Sequence, residues 1–312
     1  MSHEIERMFS VREKPWHYEM TKEKTKLIQE APTSKEALEL AGLNWTVESL
    51  PVFDRNGNEI KGYYANTRNS DNSVLGIVGS KYSIVQNEEA FSFTDALIGE
   101  GVKYETAGSL RDGRTIWLLG RMPERYIVGD KFEPFICFTN SHDGTSAIRV
   151  CMTPVRVVCN NTLNVALSNA KRSWHARHTG NIEAKMEQAR QTLKLADQYL
   201  KGLAVEAEKL ANEKFTMDDA KITLDKMFEV GKDASDRQKA TAEASKDEII
   251  VCMLRPDIAQ FLNTKWGFLN AVSDYVGHSA PVRNTASYEE NRWGKIISGH
   301  PVLDKATALI GV

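Results

Sequence analysis

Between Asn44 and about Leu167 apolar and polar residues alternate, and the alternation is broken by turns built on Asx-Gly pairs. A period of two with such turns dictates a mainly antiparallel sheet. The first hairpin is expected at Arg55-Asn56-Gly57-Asn58, between Leu50–Phe53 and Gly62-Tyr63-Tyr64-Ala65. A second falls at Arg111-Asp112-Gly113, between Tyr104–Ala107 and Ile116–Leu119, and a third at His142-Asp143-Gly144, between Phe135–Thr139 and Thr145–Val150. Val74–Val78 and Tyr82–Val85 also read as strands, parted by Gly79-Ser80, and Glu88–Ile98 reads as a helix started by Asn87.

On either side the pattern is helical. Residues 1–43 read as an irregular arm followed by a helix from Ser34, its N-cap, to Ala41, with Gly42 as C-cap. From Ile182 to Lys214 apolar or small residues recur every three or four positions, through Met186, Ala189, Leu193, Leu200, Leu203 and Leu210. That spacing predicts one amphipathic helix of ~30 residues, with Gly202 as a point of interruption. It serves either as a helix packed on the sheet or as a helical hairpin or oligomer contact. Residues 232–247 are polar and read as a mobile loop or exposed helix, and Phe261–Val272 reads as a core helix. The fold class is α+β, divided into an arm and helix at 1–43, an antiparallel core at 44–180 and a helical region at 181–312.

A net charge of −2 conceals an uneven distribution. From Gly144 to Ile182 there is no Asp or Glu, while Arg149, Arg156, Lys171, Arg172 and Arg177 supply five positive charges. The rest of the chain carries 35 basic residues (40 less those five) against 42 acidic ones, or −7. A basic segment on an acidic body points to an anionic partner. Trp174 lies among these bases, and phosphate neutralisation combined with base stacking is how single-strand binders work. The competing reading is a solvated basic turn whose arginines pair with acids elsewhere.

The common chemical signatures are missing. The chain has no GxxxxGK[ST] loop, no GxGxxG opening a helix and no GxSxG elbow. His175 and His178 have helical metal-ligand spacing, but arginines flank them and no nearby Cys, Asp or Glu completes a site. No metal or other cofactor is expected. His17, after Pro15-Trp16, reads as an anchor for the arm. In Asn160-Asn161-Thr162 either asparagine reads as the N-cap of a following helix. Cys137, Cys151, Cys159 and Cys252 form no CxxC pair and sit among apolar residues, so buried free thiols in a reducing compartment are expected. No apolar run approaches the ~20 residues a bilayer requires. Met1–Lys14 does not resemble an export signal, so a cytoplasmic location is expected.

Several segments resemble the phage/plasmid-like protein family built on domain of unknown function 932. They are Pro15-Trp16-His17, Gly79–Phe91 with its Gln86-Asn87 pair, Thr153–Leu163 with its Asn160-Asn161 pair, Ala271–His278, and Asn291-Arg292. Other members often continue Pro-Trp-His into a Gly-Leu-Gly type turn, where this chain has Tyr18-Glu19. The resemblance implies a gene carried by a phage, prophage or plasmid and transfers no activity.

Together these readings point to an accessory protein of a mobile element that binds nucleic acid without catalysis, with single-stranded DNA favoured in recombination or annealing. The expected contacts are Arg149, Arg156, Lys171, Arg172, Trp174 and Arg177, and the 182–214 helix would support a homo-oligomer. The alternatives are a factor that binds and inhibits a host defence protein, and a nuclease whose metal is held by dispersed carboxylates. No membrane partner is expected.

Overall fold

A computed structural model of the chain describes residues 5–11, 25–30, 32–98, 103–156, 161–162, 173–193, 196–279 and 300–312. The chain forms two compact units. The first comprises Met1–Met122, Phe135–Met152 and Arg172–Leu195, and the second Pro123–Pro134, Thr153–Lys171 and Ala196–Val312.

The first unit is built on a sheet of β1 (Ile5–Ser10), β2 (Thr25–Leu27), β6 (Lys103–Leu110), β7 (Thr115–Arg121), the later part of β9 (Asp130–Ser141), the start of β10 (Ile148–Arg156) and β12 (Ser173–Ala176). Their order is β12-β10-β9-β7-β6-β1-β2: β12 with β10, β9 with β7, β7 with β6 and β6 with β1 pair antiparallel, and β1 with β2 parallel. The turn between β6 and β7 falls at the expected residues. Arg111, Asp112 and Gly113 all have positive φ, which is why an Asp-Gly pair suits it. A second sheet joins β3 (Val47–Phe53), β4 (Glu59–Arg68) and β5 (Val74–Gly79) through the expected Asn56-Gly57 hairpin. Helices α1 (Ser34–Leu40) and α2 (Asn87–Ile98) pack on each other, α1 also on β6 and α2 on β7, over a core that includes Phe9, Phe93, Tyr104, Trp117 and Phe138. The cap of α1 is Thr33 rather than Ser34, because Thr33 and Glu36 form a reciprocal capping box. Tyr82–Val85 is not a strand. Apart from one isolated bridge between Tyr82 and Thr179, it runs as an irregular segment.

Among the described residues the second unit is mainly helical, with short strands: β8 (Arg125–Ile127) pairs with Asp130–Phe132, and β11 (Asn161–Thr162) with Val155–Arg156. Its centre is α7 (Lys265–Asp274), buried from Trp266 to Asp274 and packed by α4 (Ala196–Asn212), α6 (Asp236–Met253) and α8 (Pro301–Ile310). The core helix expected at Phe261–Val272 is therefore present, with a 3-10 turn (Pro256–Phe261) leading into it. Helix α5 (Met217–Met227) starts at a Thr216–Asp219 capping box and α6 at a Ser235–Gln238 one. The polar stretch 232–247 thus mostly belongs to a helix.

The expected long helix is described as α3 (Ile182–Leu193) in the first unit and α4 in the second, and residues 194–195 between them lie outside the described residues. Gly202 lies inside α4. The periodic residues Met186 and Ala189 are buried in one unit, and Leu200, Leu203, Ala207 and Leu210 in the other. These residues of the stripe are covered within their own units. Asn161 is no helix cap, because it lies in β11, opposite Arg156; Asn160 lies outside the described residues. Cys137, Cys151 and Cys252 are buried and form no disulfide, as expected, and Cys159 lies outside the described residues.

Gly267 tests the packing of the second unit. A Cβ there would lie 2.2 Å from the Phe261 carbonyl oxygen, which is backbone and cannot turn away. Gly267→Ala is expected to lower stability in urea by ~1–3 kcal/mol. Gly231→Ala, with open space around it, should leave the midpoint nearly unchanged.

Candidate functional site

The segment Gly79–Phe91 forms the densest polar node of the first unit. Gln86 spans the end of β3 as a strand would: its Oε1 accepts from Val47 N and its Nε2 donates to Val47 O, both at 2.9 Å. The adjacent Asn87 is buried, and its Nδ2 donates to the carbonyls of Leu43 (3.0 Å) and Trp45 (3.3 Å). Its Oδ1 is therefore the acceptor facing His142 Nε2 at 3.0 Å. This assigns the imidazole proton to Nε2 and leaves Nδ1 bare, with no hydrogen-bond partner.

Around this pair Asn66 donates to His142 O (2.7 Å) and Asn140 to Val85 O (3.0 Å). The Trp45 ring meets His142 edge-on. Nearby, His178 stacks on Tyr82 with ring centroids 4.6 Å apart, its Nδ1 donating to Ser83 O at 3.0 Å, and the Tyr82 hydroxyl donates to Ser141 O. Burial, reinforced by His178, holds His142 neutral down to about 3, with Asp143 opposing. Burial also lowers His178, against its bond to Ser83. The His175–His178 metal pairing does not form a helix face: His175 is exposed on β12, while His178 is buried beyond its end. Among the described residues no group of three or more His, Cys, Asp or Glu is placed to hold a metal.

An open cleft of about 780 Å³ lies between the end of α1, the start of α2 and α3. Leu43, Trp45, Val85, Phe93 and Met186 give it an apolar floor, and Glu88, Glu89 and Glu183 line it as well, with Arg190 over the Phe93 ring. Three carboxylates against one guanidinium make it unsuited to a phosphate backbone.

The expected nucleic-acid contacts are only partly on view. Lys171 and Arg172 lie outside the described residues, and Arg156 is placed by its backbone alone, in β10. Arg149 pairs with His175 across β10 and β12, and Val150 with Trp174. Directly opposed residues share a face, so Arg149 and His175, both exposed, lie on one side, and half-buried Trp174 with buried Val150 on the other. Arg177, just past β12, is exposed too. The structure thus sets His175, missed in sequence as a contact, beside Arg149, and turns Trp174 away. Strand alternation would have shown this had Trp174–His178 been read as a strand.

In the second unit Asp274 ends α7 and begins a π-helical turn, Tyr275–Ser279. Buried Asp274 accepts from Arg255, which also reaches Glu248 at 3.4 Å, and Ser279 Oγ donates to Glu248 at 2.9 Å. Burial, helped by Asp274, pushes the Cys252 thiol up to about 12, so it stays protonated and is no nucleophile.

A family described as a domain of unknown function (DUF932) matches residues 74–295, most of the chain and nearly all of these features. The chain belongs to the DUF932 family. No curated protein and no solved structure matches it. The DUF932 match holds the Gln86-Asn87 pair, both buried histidines and the Asp274–His278 turn, whereas β3 and β4 lie ahead of it.

The neutral His142 makes stability depend on pH. The unfolded chain takes up this proton near ~6.5 and the folded chain only near about 3. Stability is thus complete above ~6.5 and falls as pH drops through that window, by roughly 1 kcal/mol per unit from this group. Urea melts from pH 7 to 4 should show that slope, and His142→Gln should make it shallower, with the buried His178 keeping a remainder of the same sign.

Proposed function

We propose that this DUF932 protein binds nucleic acid, with single strands favoured, as a non-catalytic accessory factor of a phage, prophage or plasmid. The supporting observation is the exposed face of the β10–β12 pair, β12 being an edge strand among the described residues, where Arg149 on β10 lies opposite His175 on β12 and Arg177 follows just past its end, all within the acid-free span. An edge strand leaves backbone and side chains open to an extended ligand. Two guanidiniums neutralise phosphates, and the imidazole of His175 offers a small stacking plane. The partners so placed favour an unpaired, flexible strand whose bases reach the protein surface.

The test is fluorescence anisotropy with labelled single- and double-stranded oligonucleotides across a salt series. Binding through those two guanidiniums gives a log K slope of about −1.4 on single strands, which makes binding roughly 7-fold weaker at 200 than at 50 mM salt. Replacing Arg149 and Arg177 together by Ala should cut affinity and shallow the slope while the melting temperature holds. Binding unchanged by that pair of substitutions, or insensitive to salt, would remove the reading. Loss of the oligonucleotide only when Mg²⁺ is added would replace it with a nuclease, and no binding at low salt with a host protein partner.

A further inference from the structure

The open cleft between α1, α2 and α3 combines apolar and acidic residues on the same helix faces. On α2, Glu88 with Ser92 and Glu89 with Phe93 stand at i, i+4 spacing and so share one side. On α3 one side holds Ile182, Glu183, Met186 and Arg190, spaced by three and four. Every lining residue belongs to the first unit, so one compact body shapes the cleft. Leu43, Val85 and Phe93 are buried, while Leu38, Ile84 and Ile182 are half-buried and keep apolar surface open to water. The volume of about 780 Å³ falls in the range of ~300–1,000 Å³ that small-molecule sites occupy.

The charge of this cleft is not balanced from within. Arg190 holds its guanidinium 5.6 Å from the Phe93 ring centroid and already pairs with Glu187 at 3.2 Å. It therefore leaves the three lining carboxylates uncompensated. The N-termini of α2 and α3 return about half a positive charge each, so the cleft stays roughly two charges negative. An acid in the first turn often serves the helix end, and Glu89 does so, its carboxylate accepting from Gln86 N at 2.7 Å. Glu88 and Glu183 are exposed and, among the described residues, form no side-chain hydrogen bond or ion pair. A hard metal cation takes oxygen ligands all round and gains nothing from apolar walls. An anion is repelled. We infer that the cleft binds a small organic cation, an amine or guanidine carried on an apolar body. The body packs on the apolar lining and the charged group lies by Glu88 and Glu183, much as Arg190 holds its own guanidinium over Phe93 and against Glu187.

The probe is phenethylamine, titrated against the full chain by ligand-observed NMR. Two controls go with it: hydrocinnamate has the same body and the opposite charge, and ethylamine has the cation without the ring. Phenethylamine should bind saturably, in the millimolar range or tighter, and roughly tenfold or more tighter than either control. Glu88→Gln combined with Glu183→Gln should weaken it roughly fivefold or more. Glu183→Lys should bring the amine and the carboxylate close to parity. Circular dichroism melts check that these exposed substitutions leave the fold intact. No saturable binding of phenethylamine overturns the proposal. Equal binding of either control overturns it too, as does an affinity that the paired glutamines leave unchanged. Oligonucleotide binding through Arg149 and Arg177 is measured independently, so either reading can fail alone.

Discussion

The first unit depends on side-chain amides standing in for backbone. Leu43, Trp45, Val47 and Val85 lie where regular pairing stops, yet their polar groups are held by Asn87, Gln86 and Asn140. A buried carbonyl or N–H left without a partner costs ~1–3 kcal/mol, so each amide removes a penalty as well as adding a bond. Asn87 does most, because its orientation also sets the His142 tautomer. Remove Asn87 and two carbonyls and an imidazole lose their partner together; such coupled losses exceed the sum of separate bonds. This gives a physical reason for the Gln86-Asn87 pair that does not invoke chemistry on a substrate.

Legibility in the sequence followed the range of the interactions. Turns at Asn56-Gly57 and Asp112-Gly113 were readable, because a positive φ is decided by the residues that adopt it. The core helix around Trp266 was readable too. By contrast Tyr82–Val85 looks like a strand in composition and is held instead by Ser141, His178 and Asn140. Those partners lie ~55 or more positions away, and no local pattern encodes them. The division of α3 and α4 between two cores was hidden for a related reason: the apolar stripe keeps one helical period in sequence, although its two halves bury in different units.

The basic span shows the same limit at the candidate site. Composition correctly marks Gly144–Ile182 as acid-free, but a one-dimensional run does not say which side chains share a face. Pairing of β12 with β10 does, setting His175 with Arg149 and Trp174 with Val150. The strand, not the interleaving of bases with an aromatic, decides what a ligand on that edge can touch.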